Sequence, residues 1–145
     1  NLMNYGHGTG HGVGSFLNVH EGPQAIGTGA TGDLKTSIDP GMVISDEPAF
    51  YRPGQYGFRT ENLLVCREES ETEYGSFLSF ETVTLCYIDQ SLIDIPLLDD
   101  QELKWLNDYH GRVYGSLSKH LEPPLRSWLR EKTKPMKRVG KSKTR

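Results

Sequence analysis

The hydrophobic rhythm of the chain changes once, close to residue 99, and the change separates two kinds of predicted element. Upstream the apolar positions come in short β-branched and aromatic runs. "GMVISDEPAFY" (41–51) starts as a strand, and Pro48 confines its later part to an edge or a bend because proline cannot donate to a ladder. "RPGQYG" (52–57) carries the Pro-Gly pair of a turn. "FRTENLLVCRE" (58–68) follows as a second strand, so 42–67 reads as a hairpin with a wide connection. "ESETEYGS" (69–76) is polar and acidic and reads as a solvated loop, and "FETVTLCYI" (80–88) as a further strand. Residues 1–41 are glycine-rich without helical period and read as short strands joined by loops.

Downstream the period lengthens. Asp99 with Glu102 three positions on forms a capping box, and Leu98 with Leu103 a hydrophobic staple. Leu103, Leu106, His110, Val113 and Leu117 recur at helical spacing, which predicts an amphipathic helix over about 99–121 despite Gly111 and Gly115. His110 falls on the apolar stripe and reads as a satisfied, half-buried histidine, not a ligand. Pro123 and Pro124 open a second helix, 123–132, carrying Leu125, Trp128 and Leu129. Strands followed by helices indicate an α+β fold, here without internal repeats.

Composition places the 145 residues among globular chains, at 35% hydrophobic and 24% charged. The longest apolar run, Val83 to Ile88, is too short to span a bilayer, so no membrane partner is expected. Cys66 and Cys86 make no C-x-x-C pair and read as buried or free thiols of a reducing compartment. The chain opens on Asn1 with no visible secretory signal, which points to a natural start further upstream. The net charge of −3 hides a basic end: residues 132–145 hold seven basic side chains and no acid. No aromatic residue is interleaved with them, so the segment reads as a solvated, disordered tail and not a nucleic-acid site.

The unusual stretch is "GHGTGHGVGSFLNVHEGP" (6–23), with His7, His11 and His20 among closely spaced glycines. No frame of it fits the G-x-G-x-x-G register, and it holds no lysine, so a phosphate cradle is excluded. A metal site would need oxygen partners. Glu47 and Glu61 stand inside apolar or strand-like segments, where a buried carboxylate wants a cation. Arg59 shares a strand face with Glu61, and charge pairing accounts for those two without a metal.

Taken together, "HGTGHGVGSFLNVHEGP", "GMVISDEPAFY", "YGFRTENLLV" and "SFLSFETVTLCYID" resemble the C-terminal catalytic region of the X-prolyl aminopeptidases (aminopeptidase P). The likeness runs in order over about 5–131, includes "WLNDYH" and "WLREKTKP", and is nearest in wording to the long-chain cytosolic, bacterial type. It implies a pita-bread fold, an antiparallel curved sheet covered by helices, of which residues 1–131 are the C-terminal part. It implies two divalent metal ions, manganese in most members with zinc or cobalt as alternatives. His11, Glu47 and Glu61 match metal-ligand positions, with Glu61 bridging. His7 and His20 match histidines that contact substrate and stabilise the tetrahedral intermediate, Glu47 also the proton acceptor, and Arg59 an arginine supporting the metal carboxylates.

The implied activity is hydrolysis of the bond between an N-terminal residue and a following proline, on peptide substrates, by an enzyme that forms a homodimer when intact. Prolidase and methionine aminopeptidase are alternatives of the same fold, and a non-catalytic peptide-binding module is a third. Ala49 and Thr60 depart from the common pattern but match no ligand. The two aspartate ligands lie upstream of the histidine motif in this family, and Asp33, Asp39 and Asp46 match neither. The expectation is therefore a fragment of a longer enzyme, inactive by itself.

Overall fold

A computed structural model describes residues 6–16, 18–27 and 36–138. Residues 139–145 of the basic tail, and Asp33, lie outside the described residues. The chain divides into two compact units, Asn1–Thr84 and Leu85–Arg145. The first holds antiparallel β-structure and the second holds the helices, the α+β order expected.

Among the described residues seven strands build the first unit: β1 (Gly10–His11), β2 (Ala25–Ile26), β3 (Val43–Asp46), β4 (Ala49–Arg52), β5 (Tyr56–Arg59), β6 (Asn62–Thr72) and β7 (Gly75–Thr82). β3 pairs antiparallel with β6, Ile44 opposite Leu64 and Asp46 opposite Asn62, which is the expected 42–67 hairpin. Its wide connection is itself a hairpin of β4 and β5. The turn is type II: Gln55 N–H donates to Arg52 O at 3.0 Å, and Gly54 takes φ +71° where a side chain would be strained. β1 pairs with β2, and an isolated bridge joins Gly12 to Ile44, so the glycine-rich segment is attached to β3. Ile44 and Cys66 are fully buried at the centre of the three-stranded sheet β3–β6–β7.

Two expectations are corrected here. The solvated loop at 69–76 is the tip of the β6–β7 hairpin, with Thr72 opposite Gly75 and a two-residue turn of Glu73 and Tyr74. Its side chains are solvated, yet the backbone ladder continues beneath them. The strand expected at 80–88 ends at Thr82, after which the chain leaves the sheet and turns through short helical segments at Gln90–Leu92 and Ile95–Leu97.

In the second unit, α1 (Asp100–Leu117) begins with the expected capping box: Glu102 N–H donates to Asp99 Oδ1, and Asp99 N–H donates to Glu102 Oε2, both at 2.8 Å. α2 (Pro123–Lys132) starts on its proline pair, whose missing N–H groups would have had no partner there. Tyr109 and Val113 of α1 and Leu129 of α2 form the core, with Tyr87, Ile88, Leu117 and Leu121 packed around them. Leu129→Ala is expected to lower stability by about 2–5 kcal/mol through lost burial and the cavity left behind. Urea unfolding followed by tryptophan fluorescence checks this, since Trp105 and Trp128 both lie in this unit.

His110 is fully buried on this core. Its Nε2 accepts the Ile88 N–H at 3.1 Å, and the Gln90 side-chain amide lies 3.2 Å from Nδ1. Burial holds its pKa below the usual histidine range. The unfolded chain therefore binds a proton that the folded chain refuses. Stability from this residue should be complete above about pH 6.5 and should decline as pH falls below it. His110→Gln should flatten that decline in a pH series of urea midpoints; an unchanged slope would assign it to other groups.

Residues 132–138, expected to begin a solvated tail, are held in place. Asn107 makes paired hydrogen bonds with the Met136 backbone (Nδ2 to O 3.0 Å, N to Oδ1 2.8 Å), and Gln90 Nε2 donates to Lys134 O at 2.8 Å. Met136 and Thr133 are buried, and Arg138 pairs with Asp100 at 3.0 Å. Among the described residues no helix is long and apolar enough to cross a membrane.

Candidate functional site

The glycines of the histidine segment allow β1 to approach β3 very closely. A Cβ on Gly10 would meet Ser45 O at 2.3 Å. That approach lets Glu47 N–H donate to Thr9 O at 2.6 Å, and it brings the side chains of His11 and Glu47 together. His11 Nε2 lies 3.0 Å from Glu47 Oε1. The second carboxylate oxygen, Oε2, accepts from Arg59 Nη1 at 2.5 Å, and the same Nη1 is 4.0 Å from Glu61 Oε2. Glu47 is only 6% exposed, so its charge is balanced by direct partners and not by water.

The histidines are arranged around this pair. The His20 ring leans on the His11 ring at 4.1 Å between centroids and 39° between planes. His7 tilts against Tyr51 at 5.6 Å, and the Arg59 guanidinium lies 5.8 Å from the same Tyr51 ring. His7, His11, His20, Glu21, Glu47 and Arg59 line one cavity of about 480 Å³, together with the backbone turn Gly22–Pro23–Gln24. Five of the six candidate residues thus share a cavity, although they come from the β1 region, the loop after it, the link following β3, and β5.

Glu61 does not join them on the cavity wall. It sits on the link between β5 and β6 with its side chain 43% exposed and meets the others through Arg59. Among the described residues no three His, Cys, Asp or Glu side chains stand close enough to hold an ion. The physical reason lies in Arg59, whose guanidinium is the positive charge nearest both glutamates.

The donor chemistry of the remaining pair does fit a metal. His11 Nδ1 lies 2.9 Å from Gly12 O, a carbonyl that can only accept, which leaves Nε2 as the ring nitrogen turned to Glu47. Nε2 faces a carboxylate oxygen at 3.0 Å, a pair that either a proton on Nε2 or a metal ion between the two would satisfy. A ring N–H held by a backbone carbonyl is also the usual support of a ligating histidine.

Ser45, fully buried beside this pair, is not among the residues singled out by the sequence. Its only signal was its position two residues before Glu47, on the same face of an extended segment. Glu21 and Gln24 were also missed as cavity residues. Nothing in their type set them apart.

The model of metallopeptidase family M24 matches residues 1–68, and that of the C-terminal region of peptidase_M24 matches 76–136. The chain is 45% identical over 139 residues to a protein of Coprinopsis cinerea named "Probable Xaa-Pro aminopeptidase P", covering 92% of this chain and 22% of that one. It is 48% identical over 139 residues to a protein of the same name from Aspergillus fumigatus, covering 92% and 21%. Among solved structures it resembles the X-prolyl aminopeptidase of Caenorhabditis elegans, described as a cytosolic enzyme with a di-nuclear active site. The TM-score is 0.76 at 40% identity, covering 90% of this chain and 22% of that one. The chain spans about a fifth of the length of the relatives it matches. Its fold is accordingly the C-terminal portion of the pita-bread arrangement.

Proposed function

The chain belongs to metallopeptidase family M24, and on that footing we propose that it supplies one wall of the active site of an aminopeptidase that removes a residue preceding proline. The observation that carries the reading is the His11–Glu47 pair: an imidazole nitrogen and a buried carboxylate oxygen 3.0 Å apart, facing a cavity of about 480 Å³. His11 Nε2 and Glu47 Oε1 would hold one divalent ion, and Glu61 is the third proposed ligand of the chain. Two bound ions supply Lewis acidity toward the scissile carbonyl and an activated water. Manganese is the proposed metal, and a cytoplasmic setting, by likeness to the cytosolic nematode enzyme, the proposed location.

The residues divide the remaining work. Glu47 takes a proton from the attacking water and returns it to the leaving nitrogen, a role open to a carboxylate at the reacting centre. Arg59 fixes Glu47 through Oε2, so that Oε1 faces His11. His20 and His7 stand on the cavity wall, placed to donate to the peptide carbonyl as negative charge develops on it. Two aspartates from outside these 145 residues would complete the ligand set. Incubation of the complete polypeptide with manganese and an X-Pro-X tripeptide tests the reading. Release of the first residue is expected; cleavage of X-Pro dipeptides alone would favour a prolidase, and no cleavage with no manganese uptake would favour a binding module.

A further inference from the structure

We propose that Ser45 is a positioning residue for the catalytic carboxylate, acting through its hydroxyl on both members of the His11–Glu47 pair. The inference rests on the metallopeptidase reading above. Ser45 Oγ accepts the backbone N–H of His11 at 2.9 Å and donates to Glu47 Oε1 at 3.2 Å. Glu47 Oε1 in turn lies 3.0 Å from Nε2 of the same His11. The hydroxyl therefore closes a ring that runs from the histidine backbone, through serine and carboxylate, to the histidine side chain.

The direction of each bond is forced. A backbone N–H can only donate and an ionised carboxylate can only accept, so Oγ spends a lone pair on His11 and its single hydrogen on Glu47. Ser45 is fully buried, and no water competes for that hydrogen. Arg59 fixes Oε2 and Ser45 fixes Oε1, so the carboxylate plane is set at both ends. With only one end held it could rotate about its side-chain torsion and carry Oε1 away from Nε2. The arrangement also explains Gly10: only a residue without Cβ lets β1 approach β3 closely enough for the His11 N–H to reach Oγ.

The test uses the complete polypeptide and three substitutions: Ser45→Ala removes the hydroxyl, Ser45→Thr keeps it, and Ser45→Val matches threonine in shape without it. Manganese affinity is measured by titration calorimetry, kcat and KM on an X-Pro-X tripeptide, and thermal unfolding without metal. Outer partners of metal ligands typically contribute 10–100-fold in affinity or activity. Ser45→Ala and Ser45→Val should lose manganese affinity and kcat by about that factor with KM little changed, while Ser45→Thr stays within about threefold of the parent. Parent-like manganese affinity and kcat in Ser45→Ala, or in Ser45→Val if the alanine protein does not fold, would overturn the proposal. So would equal losses in the threonine and valine proteins. If the unsubstituted polypeptide neither takes up manganese nor cleaves, the metallopeptidase reading falls, and this inference with it.

Discussion

Glu47→Gln in the complete polypeptide is expected to lower kcat on an X-Pro-X tripeptide by about 10²–10⁴-fold, the range over which a positioned acid–base group contributes. Glutamine keeps the shape of the side chain, so the change isolates charge and basicity. It removes the proton acceptor. It also replaces an anionic oxygen beside His11 Nε2 with a neutral amide and breaks the 2.5 Å ion pair with Arg59. The cost in stability should be small by comparison, because the Arg59 side chain is 38% exposed and water can take over its solvation. Activity and melting temperature should therefore separate: a large fall in the first with little change in the second. A variant that turns over at the parent rate would take Glu47 out of the chemistry.

Local rules that act over three or four residues were legible in the sequence. The capping box at Asp99 and Glu102 and the Pro-Gly turn before Gln55 follow from near neighbours, and the burial of His110 follows from its place on the apolar face of α1, although its partners Ile88 and Gln90 lie outside that helix. The β6–β7 tip was not legible, because its stability is in the backbone ladder. Glu68, Glu69, Glu71 and Glu73 point to solvent and carry no period-two apolar signal for a strand. The packing of residues 132–138 was hidden for a similar reason: Asn107 recognises the Met136 backbone, which leaves no trace in residue type.

The site shows the same division. Histidines and in-strand glutamates announce chemistry by type, and resemblance assigned them roles. What brings His11 to Glu47 is the absence of a side chain at Gly10 and one buried serine hydroxyl, and neither looks like chemistry in a sequence. Glu61 marks the opposite limit. Its type and motif proclaim a ligand, while its side chain is half-exposed and engaged by Arg59.

The 145-residue chain alone is expected to show no measurable X-Pro cleavage in manganese, and the complete polypeptide is expected to cleave. Within this chain the candidate donors are one imidazole nitrogen and two carboxylates. Among the described residues they do not gather three to a point, since Glu61 stays beside the guanidinium. A two-metal site acts as a clamp: both ions must be held so that the attacking and departing atoms are stabilised together. On the proposed assignment the missing ligands are two aspartates, whose negative charge would also draw Glu61 and Arg59 into different balance by offsetting the charge of the ions. A single weakly held ion supplies neither the second Lewis acid nor the bridging geometry. Manganese titrations should accordingly show weak uptake by the chain alone and tight uptake of two ions by the complete polypeptide. Measuring first-residue release from an X-Pro-X tripeptide at equal concentrations of each decides the matter. Comparable turnover by the 145 residues would mean that the completing ligands come from within them, or from a second copy, and would refute the assignment of two aspartates from outside.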